Sequence, residues 1–175
     1  IQYDPHVIGR GFEFYLDGQT SIPCLYATAG MAGKFRADIA VDVVYGWIAG
    51  RHAGSTAAAS ELKDAEKSPW VAERAALYSS FMEREGGAAW KEANLAVQQI
   101  MDSYAAAGPH RLRSETLLAA GLKYMADLRK NAIEEISVPD AHSLMRAIET
   151  LDLMDNGEII MHAALERKET RGMHM

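Results

Sequence analysis

The residues with most scope for chemistry lie near the start of the chain, in Ala29-Gly30-Met31-Ala32-Gly33. This run stands between an apolar stretch that reads as a strand and a pattern that reads as a helix. At such a junction glycine lets the backbone approach a ligand closely, and the N-terminus of the following helix presents its positive end to an anion. The complete Gly-x-Gly-x-x-Gly spacing of a dinucleotide turn is missing, and by spacing alone an ordinary strand-to-helix turn is the simpler reading. Cys24 follows Pro23 with no adjacent cation or helix start to activate its sulfur, so a buried, inert thiol is expected. The histidines at 6, 52, 110, 142, 162 and 174 form no recognised metal spacing. Glu158 and His162 stand one helical turn apart, but a di-iron bundle needs that motif twice with further carboxylates. Helix-surface ion pairs are expected there instead, and no metal centre.

Composition narrows the function classes. The formal charge of -6 and the lack of a basic cluster exclude a general nucleic-acid surface, which must release counterions through grouped Lys and Arg. His110, Arg111 and Arg113 beside Pro109 read as a solvated turn. With 175 residues and 49% hydrophobic content, the chain can build one domain, or one domain plus a fragment. A single cysteine fits a reducing compartment and a cytoplasmic location, and no apolar run reaches the roughly 20 residues that span a bilayer. Ile1 at the start and the charged run Glu166–Arg171 near the end make both termini look cut.

Two textures position these residues. Up to about residue 35 the glycines at 9, 11, 18, 30 and 33 interrupt short apolar runs, 12–16 and 22–27, which read as two strands joined by a hairpin turn at Asp17-Gly18. From about residue 38 the period becomes helical. Asp38 is placed to cap a helix reaching about Ala53, loosened at Gly54-Ser55-Thr56, and Ser68-Pro69 starts a second ending near Glu85. A third carries Trp90, Ala93, Val97, Ile100, Met101 and Tyr104, and a fourth begins near Ser114 with Leu117, Leu118, Gly121, Leu122, Met125 and Leu128 inward. A fifth, after Asp140, places Leu144, Ile148, Leu151, Asp155, Ile159, His162 and Leu165 on one line. Such stripes must be buried on one another, which predicts a mainly α fold, an antiparallel bundle of four to five helices preceded by a small β-hairpin. Aromatics and methionines at helical spacing are expected to be core.

In this order the pieces resemble the C-terminal part of the flavoprotein family of succinate dehydrogenase, fumarate reductase and aspartate oxidase. Asp17-Gly-Gln-Thr-Ser-Ile-Pro-Cys-Leu-Tyr-Ala-Thr-Ala-Gly30 is similar to the family's Gly-x-Thr-Ser-Ile-Pro-Gly-Leu-Tyr-Ala strand, which ends at the flavin. A helix with Val43-Val-Tyr-Gly46 and Ala49-Gly50-Arg51 follows, and the stretch from Asp140 to Gly172 resembles the family's closing helices. Gln99-Ile-Met-Asp-Ser-Tyr104 and Lys34-Phe35 are closer to the adenylylsulfate reductase flavoprotein.

The resemblance implies FAD bound by a longer parent chain, with residues 1–58 a remnant of the FAD-binding domain and 59–175 the helical C-terminal domain. Ala29, Gly30 and Met31 would then approach the flavin by backbone, with Asp38 and Ile39 at the helix start and Arg36 as the one match to the substrate-binding arginine. The family's acidic residue, its His-Gly-Ala-Asn-Arg run and its Gly-Gly-Asn-Ser run are not preserved. Met31 stands near the acidic position and Ala37-Asp38-Ile39 replaces the last run, which weighs against dicarboxylate chemistry. The expected role is to complete and brace the flavin site of an FAD-dependent oxidoreductase. Activity is not expected without the rest of the chain, which supplies the phosphate cradle. Expected partners are that remainder or an electron-transfer subunit, with self-association of the piece through uncovered strand edges. The alternative is a flavin-free helical interaction module on the same fold.

Overall fold

The computed structural model describes residues 13–28, 39–61, 64–107, 112–170 and 174. The chain divides into two compact units, Ile1–Lys63 and Asp64–Met175. Five α-helices occur among the described residues: α1 (Ile39–Ala58) in the first unit, and α2 (Pro69–Glu83), α3 (Trp90–Tyr104), α4 (Glu115–Glu135) and α5 (Ala141–Glu166) in the second.

Local chemistry sets these limits. Pro69 occupies the first turn of α2, where its missing N–H costs nothing, while the Ser68 side chain makes no capping bond. Ser114 and Asp140 do cap, accepting from the amides of Leu117 and Ser143. α1 continues through Gly54-Ser55-Thr56 without the expected loosening, because the Ser55 hydroxyl donates back to the Arg51 carbonyl and stays within the helical pattern. The capping position expected for it, Asp38, lies outside the described residues.

In the second unit α3, α4 and α5 pack pairwise, and α2 leans on α5. Gly121 meets Met161, Met125 meets Gly157, and Arg129 pairs with Asp155, so α4 and α5 run antiparallel. Phe81, Met125, Ile136, Met154 and Met161 are fully buried in this core. α5 turns a different side inward from the one expected. Its buried line is Ala147, Thr150, Leu151, Met154, Gly157, Met161 and Ala164, whereas Ile159 and His162 are exposed and Asp155 sits at the edge. The rotation amounts to about one residue position around the helix, roughly 100°. Its cause is close packing: small residues face the neighbouring helices, and the large apolar ones flank the seam. Arg129 of α4 bridges to Asp155 at 2.5 Å and Glu158 at 3.3 Å along that edge.

At one end of the unit the α2–α3 and α4–α5 connections are stitched together. The Ala88 amide donates to the Glu135 carbonyl, the Ser137 amide to Ala88, and the Val138 amide to Phe81. The Arg84 guanidinium donates to the Ile136 and Ile133 carbonyls, satisfying acceptors at the α4 C-terminus. Gly87 permits this at φ 154°, since a Cβ there would lie 2.2 Å from the Glu135 oxygen.

The expected hairpin of strands 12–16 and 22–27 does not form among the described residues. Tyr15 to Gln19 closes on itself, with the Tyr15 amide donating to the Gln19 carbonyl, and only one antiparallel bridge, Gln19 with Tyr26, follows. The reversal lies at Ser21–Cys24 rather than at Asp17-Gly18. There the Thr20 hydroxyl accepts from the Ile22 amide and donates to the Leu25 carbonyl, taking groups a strand ladder would use. Cys24 adopts φ 65° and is exposed, not buried as expected, because it forms the corner of this loop.

Two outcomes follow from the second unit. A methyl added at Gly121 meets the Tyr104 Cβ at 2.7 Å, an atom fixed to the α3 backbone, whereas at Gly157 it meets the flexible ends of Met125 and Met101 at 2.9 and 3.1 Å. Gly121→Ala should therefore destabilise through overpacking of about 1–3 kcal/mol, which outweighs the roughly 1 kcal/mol helical gain from replacing glycine. Gly157→Ala should cost less, and an inverted order of melting temperatures would reject the reading. The Ser143 amide, with the cap geometry around it, holds the Asp140 carboxyl below its ordinary value. A carboxyl more acidic in the folded than the unfolded state stabilises the fold above its unfolded pKa, and that contribution fades as pH falls through the folded value. The stability advantage over Asp140→Ala should shrink accordingly when melting is followed down an acid titration.

Candidate functional site

Of the residues expected at the site, Ala29, Gly30, Met31, Arg36 and Asp38 lie outside the described residues. Ile39 is described. It opens α1, 83% exposed, so the start of the helix is not covered at this side chain. What the structure defines is how the chain on either side, the 13–28 loop and α1, is held together within the first unit.

Small residues make the contact. Gly18, at φ 86°, lies so close to α1 that a Cβ would stand 2.6 Å from the Ala49 Cβ, and Ala27 and Ala49 are buried beside it. The Ala27 amide donates to the Gly18 carbonyl at 2.9 Å, so the outgoing and returning arms of the loop press on the helix as one layer.

Above this contact a polar network crosses from loop to helix. The Tyr26 hydroxyl is hydrogen-bonded to His52 Nδ1 at 2.9 Å and donates to Thr56 Oγ1 at 3.2 Å, while Gln19 Nε2 donates to it at 3.4 Å. The other imidazole nitrogen, Nε2, stands 3.5 Å from Asp17 Oδ2. Asp17 is itself oriented by accepting the Gln19 amide at 3.0 Å. Carboxylate, imidazole and hydroxyl thus occur in the order of an acid–base relay. The phenolic oxygen, however, is engaged by three protein groups, which fixes it in place rather than presenting it to a substrate.

An open groove of about 310 Å³ runs beside the network, lined by Asp17, Trp47, Ile48, Arg51, His52 and Ser55. The Arg51 guanidinium lies 4.7 Å from the Trp47 ring centroid, a cation–π arrangement. Trp47, Val43 and Val44 of α1 and Tyr15 and Leu16 of the loop are exposed apolar side chains. Among the described residues no group of three or more His, Cys, Asp or Glu could hold a metal ion.

Sequence reasoning missed the Tyr26–His52 pair. Its members are 26 positions apart, and Tyr26 reads as one more apolar strand residue. The available signal was His52 with Thr56, one turn apart on a single helix face. In the second unit, burial raises the Tyr104 phenol above its ordinary value, reinforced by Tyr124, whose ring centroid lies 5.2 Å away.

Residues 94–175 match the family model described as fumarate reductase flavoprotein C-term. No curated protein matches the chain. Among solved structures, E. coli quinol fumarate reductase FrdA has 23% identity and a TM-score of 0.72, over 91% of this chain and 29% of that one. Adenylylsulfate reductase from Archaeoglobus fulgidus has 23% identity and a TM-score of 0.75, over 90% of this chain and 27% of that one. A quinol-fumarate reductase solved with menaquinol molecules has 23% identity and a TM-score of 0.68, over 94% and 30%. The chain therefore spans less than a third of the length of these neighbours and shares the fold of that part. Its residues 94–175, a little under half of the chain, are similar to the fumarate reductase flavoprotein C-terminal family.

Proposed function

We propose that this chain is the late part of an FAD-dependent oxidoreductase flavoprotein, completing the flavin site with its first unit and bracing it with its second. The observation that carries this reading is the family match of residues 94–175, joined to a fold likeness covering nine-tenths of the chain.

Ala29, Gly30 and Met31 would meet the flavin by backbone, Asp38 and Ile39 would stand where α1 begins, and Arg36 would face the substrate. The described residue of this set fits such a role. Ile39 offers an exposed apolar side chain at a helix start, where a flat ring system packs and where backbone N–H groups concentrate. When bound, the flavin supplies two-electron redox chemistry. The chain's own contribution is orientation and field. Asp42 in the first turn of α1, with Asp38 just before the helix, offsets the positive end of the dipole. This helix start would therefore favour negative charge on a bound flavin less than an uncharged start would. The phosphate cradle and most substrate contacts are assigned to the remainder of the flavoprotein, with an electron-transfer subunit as a further partner. No helix of the described residues is long and apolar enough to cross a membrane, and a cytoplasmic location is part of this reading.

Purified full-length protein is expected to show visible flavin absorption and to release FAD on denaturation. A colourless preparation that releases no flavin would overturn the proposal in favour of a flavin-free interaction module. The 175-residue piece on its own, with Tyr15, Leu16, Val43, Val44 and Trp47 exposed, is expected to self-associate. Static light scattering giving a monomer mass across a broad concentration range would contradict that.

A further inference from the structure

Apolar packing alone does not fix the 13–28 loop on α1. Most of its large apolar side chains point outward, with Tyr15 64%, Leu16 88%, Ile22 58% and Leu25 48% exposed, and Phe14 alone packs edge-on against Tyr45 of α1, ring centroids 5.9 Å apart. The buried contact is made by Gly18, Ala27 and Ala49, which supply little area. One aromatic contact and little buried area leave much of the loop's position along the helix to directional bonds. Two such bonds cross to α1 at Tyr26, to His52 Nδ1 at 2.9 Å and Thr56 Oγ1 at 3.2 Å, with Gln19 Nε2 steadying the hydroxyl from the loop side. Asp17, reaching His52 Nε2 at 3.5 Å, completes a second crossing from the first arm of the loop. One imidazole thus ties both arms to the same helix face.

We propose that Tyr26 and His52 are positioning residues. Their hydrogen-bonded clasp, with Thr56 and Asp17, sets how the 13–28 loop sits on α1, and through these two described segments tunes the environment of a bound flavin. This rests on the flavin reading above. A contact that serves stability alone would speed local exchange when cut and leave a bound flavin's band and retention as they were, whereas a positioning clasp moves both.

The test uses the full-length protein with two readouts. Hydrogen exchange of the Ala27 and Thr20 amides, which bond to the Gly18 and Leu25 carbonyls, reports the loop directly. The flavin absorption maximum and the retention of flavin report placement. Tyr26→Phe and His52→Ala should speed exchange at Ala27 and Thr20 by about five-fold, the size of one net hydrogen bond. Exchange at buried Met154 should stay unchanged. Both variants should also shift the flavin band or lower retention. His52→Asn, whose side-chain amide can reach the Nδ1 position, should restore both readouts toward wild type. Unaltered exchange at Ala27 would remove the clasp, and faster exchange with an unshifted, fully retained flavin would remove its positioning role. If the unmodified protein carries no flavin, the positioning claim falls with the flavin reading, while exchange still decides whether the clasp exists.

Discussion

How near two helices can come is decided by the smallest side chains between them, and in the second unit that limit is set at Gly121 and Gly157. Each faces a neighbouring side chain at a distance that leaves no room for a further carbon without movement. Because α3, α4 and α5 meet at these points, the methionines around them fill the seam with flexible thioethers, and the interior reaches its density without branched residues on every layer. The orientation of α5 follows. Its glycine, alanines and threonine must face the crossing, so Ile159 and Ile160 are displaced to the surface although their hydropathy suggests the opposite.

The first unit uses another strategy. Its contact is made by small residues, Gly18 against Ala49, and by the edge-on pair Phe14–Tyr45, and side-chain hydrogen bonds add direction that packing alone supplies in the bundle. A loop held this way is specified by chemistry at a few atoms. It can carry exposed apolar residues, since they are not the means by which it is placed.

Much of the helical architecture was legible in the sequence because its signals are local. Pro69, Ser114 and Asp140 sit within one residue of the helix starts they announce, and the stripe through Ala93, Val97 and Met101 follows the helical period. The inward face of α5 was not legible, since hydropathy ranks isoleucine above glycine while close packing ranks them the other way. The hairpin failed for a related reason. Short apolar runs on either side of Asp17-Gly18 suggest paired strands, yet Thr20 and the missing N–H of Pro23 favour a compact loop. Of the candidate site, the residues at the helix start were accessible through resemblance. The Tyr26–His52 contact joins distant positions and leaves no periodic trace.

The seam of methionine sulfur against glycine has a chemical side. Met101 and Met161 bring their sulfurs, and Met125 its terminal methyl, to where a side-chain carbon would stand at a helix-crossing glycine. Adding one oxygen to such a sulfur turns a pliable apolar filler into a larger, dipolar group. A segment that relies on thioethers for its fit is thereby sensitive to peroxide whenever local opening admits it, and repair by sulfoxide reduction would be as relevant to its lifetime as its melting point.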